Sequence, residues 1–217
     1  MELWQEIQAA VDYGFQIAAN IVGIPHLHYR PITATNPISV TNQLVNQSVL
    51  IDRHSGKFKY EVPEVHGKPY RDAILDVIAC KNGDYLISTV DGNISFISSI
   101  EPLEYTTIIK CNRTVSLTRM ITTPVFGTVG HGGTTAQTIV AGYWPCSVLQ
   151  GTKGEHSVIT LPRDTRQPWF SILLPLIPGV ILETEDDLID DLGQHYEISS
   201  AEQTEMGWRL SAELAKA

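Results

Sequence analysis

Asp190-Asp-Leu-Gly-Gln-His-Tyr-Glu-Ile-Ser-Ser-Ala-Glu-Gln-Thr-Glu-Met-Gly-Trp-Arg-Leu-Ser-Ala212 combines strand-like alternation with almost no reactive chemistry. Tyr196 and Ile198 alternate with polar Glu197 and Ser199, and Trp208 and Leu210 alternate with Arg209 and Ser211. Successive side chains on a strand point to opposite faces, so two strands joined by the acidic 201–206 turn bury Tyr196, Ile198, Trp208 and Leu210 together. The stretch reads as scaffold.

The same grammar extends upstream. Asn82-Gly83 separates residues 73–81 from 84–90, and Asp91-Gly92-Asn93 separates the latter from 94–100, which predicts a meander. Tyr85, Ile87 and Thr89 share one face of its middle strand, and Leu86, Ser88 and Val90 the other. Further strands are expected at 106–111, 115–121, 138–143 and 158–161, with glycine-rich loops at 127–135 and 150–156. The fold class is therefore mainly β: a β-sandwich or barrel-like core with an N-terminal amphipathic helix and long arms and loops. No sequence repeat is evident. The expected organisation is a helix at 1–24, an extended arm at 25–45 and a β-rich core at 46–217, with a smaller C-terminal β subdomain at 168–217.

The helix follows from Trp4, Ile7, Val11, Phe15, Ala18 and Val22 at helical spacing, with Gln5, Gln8, Asp12, Gln16 and Asn20 on another face. Its apolar stripe packs either on its own domain or on a neighbouring subunit. Gly23 and Pro25 end it, and Pro31 and Pro37 keep the following segment extended. That arm either wraps its own core or reaches another subunit.

With 217 residues the chain can bury one substantial core with extensions, and 43% hydrophobic against 18% charged composition argues against disorder. Fifteen Lys and Arg against 24 Asp and Glu give a formal charge of −9, which opposes capture of nucleic acid through its phosphates and suits a surface past which DNA slides. Met1-Glu2-Leu3-Trp4 lacks the basic-then-apolar pattern of a secretory signal, so export is not expected. The longest apolar tract, 169–182, is interrupted by Pro175 and Pro178, and no membrane span is expected. Cys80, Cys111 and Cys146 are widely spaced and odd in number, which favours buried reduced thiols over a disulfide framework or a zinc ribbon.

Signals of chemistry are weak. His131-Gly132-Gly133 is similar in composition to loops whose amides stabilise an oxyanion, and a hydrolase using it is the enzymatic alternative, but no Gly-x-Ser-x-Gly elbow accompanies it. His26 and His28 lie on one side of an extended segment without a Cys or carboxylate nearby to complete a zinc pattern. The carboxylates Glu183, Glu185, Asp186, Asp187, Asp190 and Asp191 lack the EF-hand arrangement and read as a solvated acidic edge. The glycosylation-like triplets at Asn46, Asn93 and Asn112 have no secretory context and read as turns. No catalytic, metal or cofactor residue is assigned; the candidate interaction residues are Trp4, Ile7, Val11, Phe15, Arg30 and Trp208.

Cys111-Asn-Arg-Thr-Val-Ser-Leu-Thr-Arg119, Trp144-Pro-Cys-Ser-Val-Leu-Gln-Gly151, Pro168-Trp-Phe170 and Tyr196 to Leu210 together resemble a structural family of tailed phages and prophages, over residues 20–214. Residues 179–214 look like the terminal β elements of head-closure or head–tail connector proteins. The resemblance implies a non-enzymatic virion protein at the neck, assembled in host cytoplasm and joining the DNA-filled head to the tail. It implies a ring of about six or twelve copies, with portal or adaptor and tail proteins as neighbours and genomic DNA passing without sequence-specific binding. Tail, baseplate and fibre-adaptor roles remain alternatives within that class.

Overall fold

The computed structural model describes residues 3–52, 69–123, 134–151 and 168–215. They form one α-helix, α1 (Leu3–Val22), two short 3-10 helices (Val40–Asn42 and Val77–Ala79) and twelve strands. The first six are β1 (Ile24–Tyr29), β2 (Gln47–Asp52), β3 (Tyr70–Ile74), β4 (Tyr85–Ser88), β5 (Ile94–Ser99) and β6 (Thr106–Lys110). The second six are β7 (Arg113–Thr123), β8 (Thr134–Gln150), β9 (Trp169–Leu174), β10 (Asp187–Asp190), β11 (His195–Thr204) and β12 (Gly207–Leu214).

Each set of six closes into an antiparallel barrel in which every strand has a paired neighbour on both sides. Around the first barrel the order is β1-β2-β3-β6-β5-β4; around the second it is β7-β8-β9-β12-β11-β10. These are the same ring order, so the chain contains one fold twice. The mainly β, barrel-like expectation holds, and the division falls between β6 and β7. The arm expected from residue 25 gives way at its start to β1, a strand of the first barrel.

Registers carry the duplication to single residues. Tyr29, His28 and Leu27 face Tyr85, Leu86 and Ile87 across β1 and β4; Thr118, Leu117 and Ser116 face Asp187, Leu188 and Ile189 across β7 and β10. Both barrels break register at an equivalent place, between Ile97 and Ser99 and between Ile198 and Ser200, and the second breaks it twice more between β7 and β8. Aligned this way, Asp84-Tyr-Leu-Ile87 and Ile97-Ser-Ser99 match Asp186-Asp-Leu-Ile189 and Ile198-Ser-Ser200. The sequence therefore does hold a repeat, masked because the intervening β4–β5 hairpin is one residue longer than its counterpart.

The predicted meander is correct only in its second half. Asp91-Gly92-Asn93 does turn β4 into β5, but β3 pairs with β2 and β6, and Asn82-Gly83 leads from one side of the barrel to the other. The terminal hairpin forms with Tyr196, Ile198, Trp208 and Leu210 all buried, but β11 runs on to Thr204 and the turn expected over 201–206 shrinks to Glu205-Met206.

The first barrel is filled by Val49, Ala73, Leu75, Cys80, Leu86, Ile97 and Ile108. A second cluster joins the interior of the other barrel to Tyr29, Tyr85, Phe96 and Ile109 of the first, so the barrels share a packed seam. Fully burying an aromatic or aliphatic side chain stabilises by roughly 1.5–3 kcal/mol, which makes Tyr85, Phe96 and Trp144 the main hydrophobic ties of the seam. The Tyr85 hydroxyl donates to the Pro145 carbonyl at 2.7 Å, and Trp144 Nε1 donates to the Ala34 carbonyl at 2.6 Å. Residues 34–36 bond to Gly142 of β8 through Asn36 N to Gly142 O (2.9 Å) and Gly142 N to Ala34 O (3.1 Å). The arm is thus a strap between the chain's own two barrels.

Candidate functional site

Among the described residues, two places combine charge, exposure and shape: the turn against which the barrels meet, and the N-terminal helix.

At the turn, Arg30 follows β1 and Asp84 precedes β4, so strand pairing brings them side by side. Arg30 Nε donates to Asp84 Oδ1 at 2.9 Å and Nη2 to Oδ2 at 2.7 Å, a bidentate pair, while Nη2 also reaches the Ala79 carbonyl at 2.7 Å. The Lys81 amide donates to Asp84 Oδ2 at 2.9 Å. Burial by itself raises the Asp84 carboxyl, but the hydrogen bonds from His28, Arg30 and Lys81 outweigh it and hold the group below the usual carboxylate value.

The second barrel repeats this arrangement atom for atom. Arg119 Nε donates to Asp186 Oδ1 at 2.7 Å, Nη2 to Oδ2 at 2.8 Å and to the Ile181 carbonyl at 2.8 Å, and the Glu183 amide donates to Asp186 Oδ2 at 2.8 Å. Asp186 is 1% exposed and Asp190 6%, so the run read as a solvated acidic edge contains two buried structural carboxylates. Asp190 Oδ1 accepts the Leu192 and Gln194 amides and Oδ2 the Tyr196 hydroxyl, which closes the β10–β11 turn.

The barrels differ beneath the clamp. His28 Nε2 bonds Asp84 Oδ2 at 2.8 Å from within the first barrel, where the equivalent residue of the second is Leu117. A His–Asp couple is two-thirds of a hydrolytic triad. However, His28 is 1% exposed, its carboxylate is already committed to Arg30, and no described Ser or Cys stands within hydrogen-bonding distance of it. The couple acts as an internal brace. His26, equivalent to Val115, is also buried, with Nδ1 2.7 Å from the Ile24 carbonyl; burial lowers its pKa. The His131 loop lies outside the described residues.

Above the clamp, Arg30, Lys81, Asn82 and Gly83 face Leu176, Ile177 and Pro178 across a cleft of ≈ 260 Å³ between the β3–β4 and β9–β10 connections. That is below the about 300–1,000 Å³ of ordinary small-molecule sites. Among the described residues no His, Cys, Asp and Glu cluster could hold a metal ion. All three cysteines are free; burial pushes the Cys80 thiol up to about 11 and those of Cys111 and Cys146 higher still, which leaves them unreactive thiols at neutral pH.

The helix departs from expectation in its orientation. Gln8, Val11, Asp12, Phe15, Gln16, Ala18 and Ala19 are the residues wholly or partly covered. Gln16 Nε2 donates to Asp76 Oδ2 at 2.8 Å, and Phe15 stacks on Tyr105 with ring centroids 5.5 Å apart. Hence the polar face of α1 supplies much of the contact with the barrel, while Trp4, Ile7 and Val22 of the predicted stripe are exposed. Val11 and Phe15 are half-buried, and Arg30 is engaged in the clamp. Trp208, taken from sequence as an interaction residue, is 4% exposed in the core of the second barrel and cannot present a surface. Among the described residues no helix is long and apolar enough to cross a membrane.

No protein-family model, curated protein or solved structure matches this chain.

Proposed function

We propose that this chain is a structural subunit of a tailed-phage virion that takes part in joining the DNA-filled head to the tail. The observation that carries the reading is a helix docked partly by polar residues on a rigid double barrel, leaving Leu3, Ile7, Ile17 and Ile21 outward. Burying apolar surface is the main favourable term in association, so such a face suits assembly. The rest of the molecule agrees with a mechanical role. The buried charges are bound up in turn-locking clamps, the thiols are wholly or partly buried, and the formal charge of −9 keeps passing DNA from adhering. The resemblance of residues 179–214 to neck proteins favours a position at the neck.

Electron microscopy of particles made when the gene is silenced in its parent phage tests this. Filled heads and finished tails accumulating separately are expected. Heads without finished tails would move the role to tail or baseplate assembly, and normal virions would exclude a joining role.

A further inference from the structure

The outward face of α1 has an internal order that identifies its occupant. Leu3, Ile7, Ala10, Gly14, Ile17 and Ile21 recur at alternating spacings of four and three, the period of a coiled-coil seam. All six are exposed, with Leu3 at 73% and Ile21 at 75%, and a Cβ built on Gly14 meets nothing. The seam lies almost opposite the covered side of the helix, where Asp12 is held by Gln8 Nε2 at 2.7 Å and Gln16 by Asp76.

The seam is also symmetric about its midpoint. Reading inward from the two ends, Leu3 matches Ile21, Ile7 matches Ile17, and Ala10 matches Gly14. Two copies placed antiparallel therefore set large residues against large at both ends and small against small at the centre, where the helix backbones come closest. An isologous contact requires such self-complementarity, because each residue meets the partner of its own mate. Charge selects the same orientation. The described charged residues of α1 are Glu6 and Asp12, both acidic. Parallel pairing holds the two Glu6 carboxylates at one level across the seam, whereas antiparallel pairing sets them about 18 Å apart along it and leaves Asp12 turned towards its own barrel.

We infer that the outward face of α1 binds the same face of a second copy of this chain, antiparallel, through the Leu3–Ile7–Ala10–Gly14–Ile17–Ile21 seam. The contact closes at two copies, so a ring would have to be built from other surfaces. The inference goes beyond the joining role and concerns the isolated chain.

Sedimentation velocity of the full chain over about 1–100 μM tests it, and a dimer is expected in that range. Ile17→Glu places a charge in the seam and Gly14→Leu wedges the close approach; each should weaken the dimer at least about 30-fold. Both sites are exposed, so folding is retained, which circular dichroism checks. Ile32→Glu, at an exposed apolar residue away from the helix, should leave the dimer unchanged. Orientation is read by disulfide trapping: Leu3→Cys chains mixed with Ile21→Cys chains should cross-link to each other. A chain that stays monomeric, including one that binds only a different protein's helix, overturns the inference. So does a dimer that survives Ile17→Glu, or one trapped by Leu3→Cys alone. None of these outcomes bears on whether the silenced phage makes joined particles.

Discussion

Arg119 occupies in the second barrel the place that Arg30 occupies in the first: each follows the strand position paired with the first residue of the fourth strand. Each grips, in bidentate fashion, the aspartate just before that strand and binds the carbonyl five residues earlier. The backbone on either side repeats too. Gly83 N to Ile97 O (2.8 Å) and Ile97 N to Asp84 O (2.8 Å) have counterparts in Glu185 N to Ile198 O (3.0 Å) and Ile198 N to Asp186 O (3.0 Å). The clamp fixes the connection that crosses each barrel from third to fourth strand, a crossing that strand pairing alone does not hold.

Removing either arginine should therefore cost more than removing either aspartate. Arg119→Leu leaves Asp186, 1% exposed, without its cation at a cost of about 3–5 kcal/mol, and Arg30→Leu should cost towards the lower end of that range because His28 still bonds Asp84. Asp84→Asn or Asp186→Asn leaves a part-exposed guanidinium that can hydrate, and should cost about 1–3 kcal/mol. Urea denaturation midpoints of the four variants check the order; equal small losses would mean that the clamps hold little.

The duplicated turn also predicts a stabilising change. Gly83 has φ +91° in the first barrel, and its equivalent in the second is Glu185 at φ +72°, where a side chain is strained. Glu185 is exposed, so Glu185→Gly removes the strain without losing packing and should raise stability by about 0.5–1 kcal/mol. Gly83→Ala should lower it by about 1 kcal/mol. Thermal midpoints moving in opposite directions would confirm that the two turns are one motif.

The barrel class and the terminal hairpin were legible because alternation at Tyr196, Ile198, Trp208 and Leu210 reports burial directly. The repeat was harder to read. Its fixed points are few, Asp-x-Leu-Ile and Ile-Ser-Ser, and the extra residue in the β4–β5 hairpin defeats comparison at constant spacing. Arg30 and Asp84 are far apart in sequence and become neighbours only through β1–β4 pairing, so nothing local announced the clamp. For α1, periodicity yields the faces but not which one docks. Asp76 and Tyr105 on the barrel decide that by accepting Gln16 and Phe15. Trp208 was misplaced because a tryptophan near a turn reads equally as anchor or core until its strand is closed into a barrel.

Stability should depend on pH through His26. Burial disfavours its charged form more than the Ile24 carbonyl and the Asp91 charge favour it, so its folded pKa lies below the ordinary histidine value of 6.5. The unfolded chain then binds the proton more readily, and the stabilisation is present above about 6.5 and lost as pH falls through the lowered value. One such group gives a slope of at most about 1.4 kcal/mol per pH unit. His26→Val, which installs the residue type of the equivalent Val115, should flatten that slope while keeping the fold. Asp84 adds a separate loss at lower pH, because its depressed pKa makes the clamp fail only as pH falls below the ordinary carboxylate value of 3.8. Urea midpoints from pH 3 to 8 separate the two.

The seam between barrels should be separable from the barrels themselves. Tyr85→Phe removes the hydroxyl that reaches Pro145 and leaves that buried carbonyl without it, at a cost of about 1–3 kcal/mol. Trp144→Phe removes the indole bond to Ala34 and part of the seam's volume, but Gly142 N still binds the Ala34 carbonyl, so the single change is milder. Each barrel is closed by its own strand pairing and keeps its own interior residues, so the double variant loses coupling rather than either fold. Scanning calorimetry should show one cooperative transition for the native chain and two for Tyr85→Phe with Trp144→Phe. A single transition in the double variant would assign the coupling to the 34–36 strap, and Gly142→Pro, which removes the amide bonded to Ala34, would then be the change that divides it.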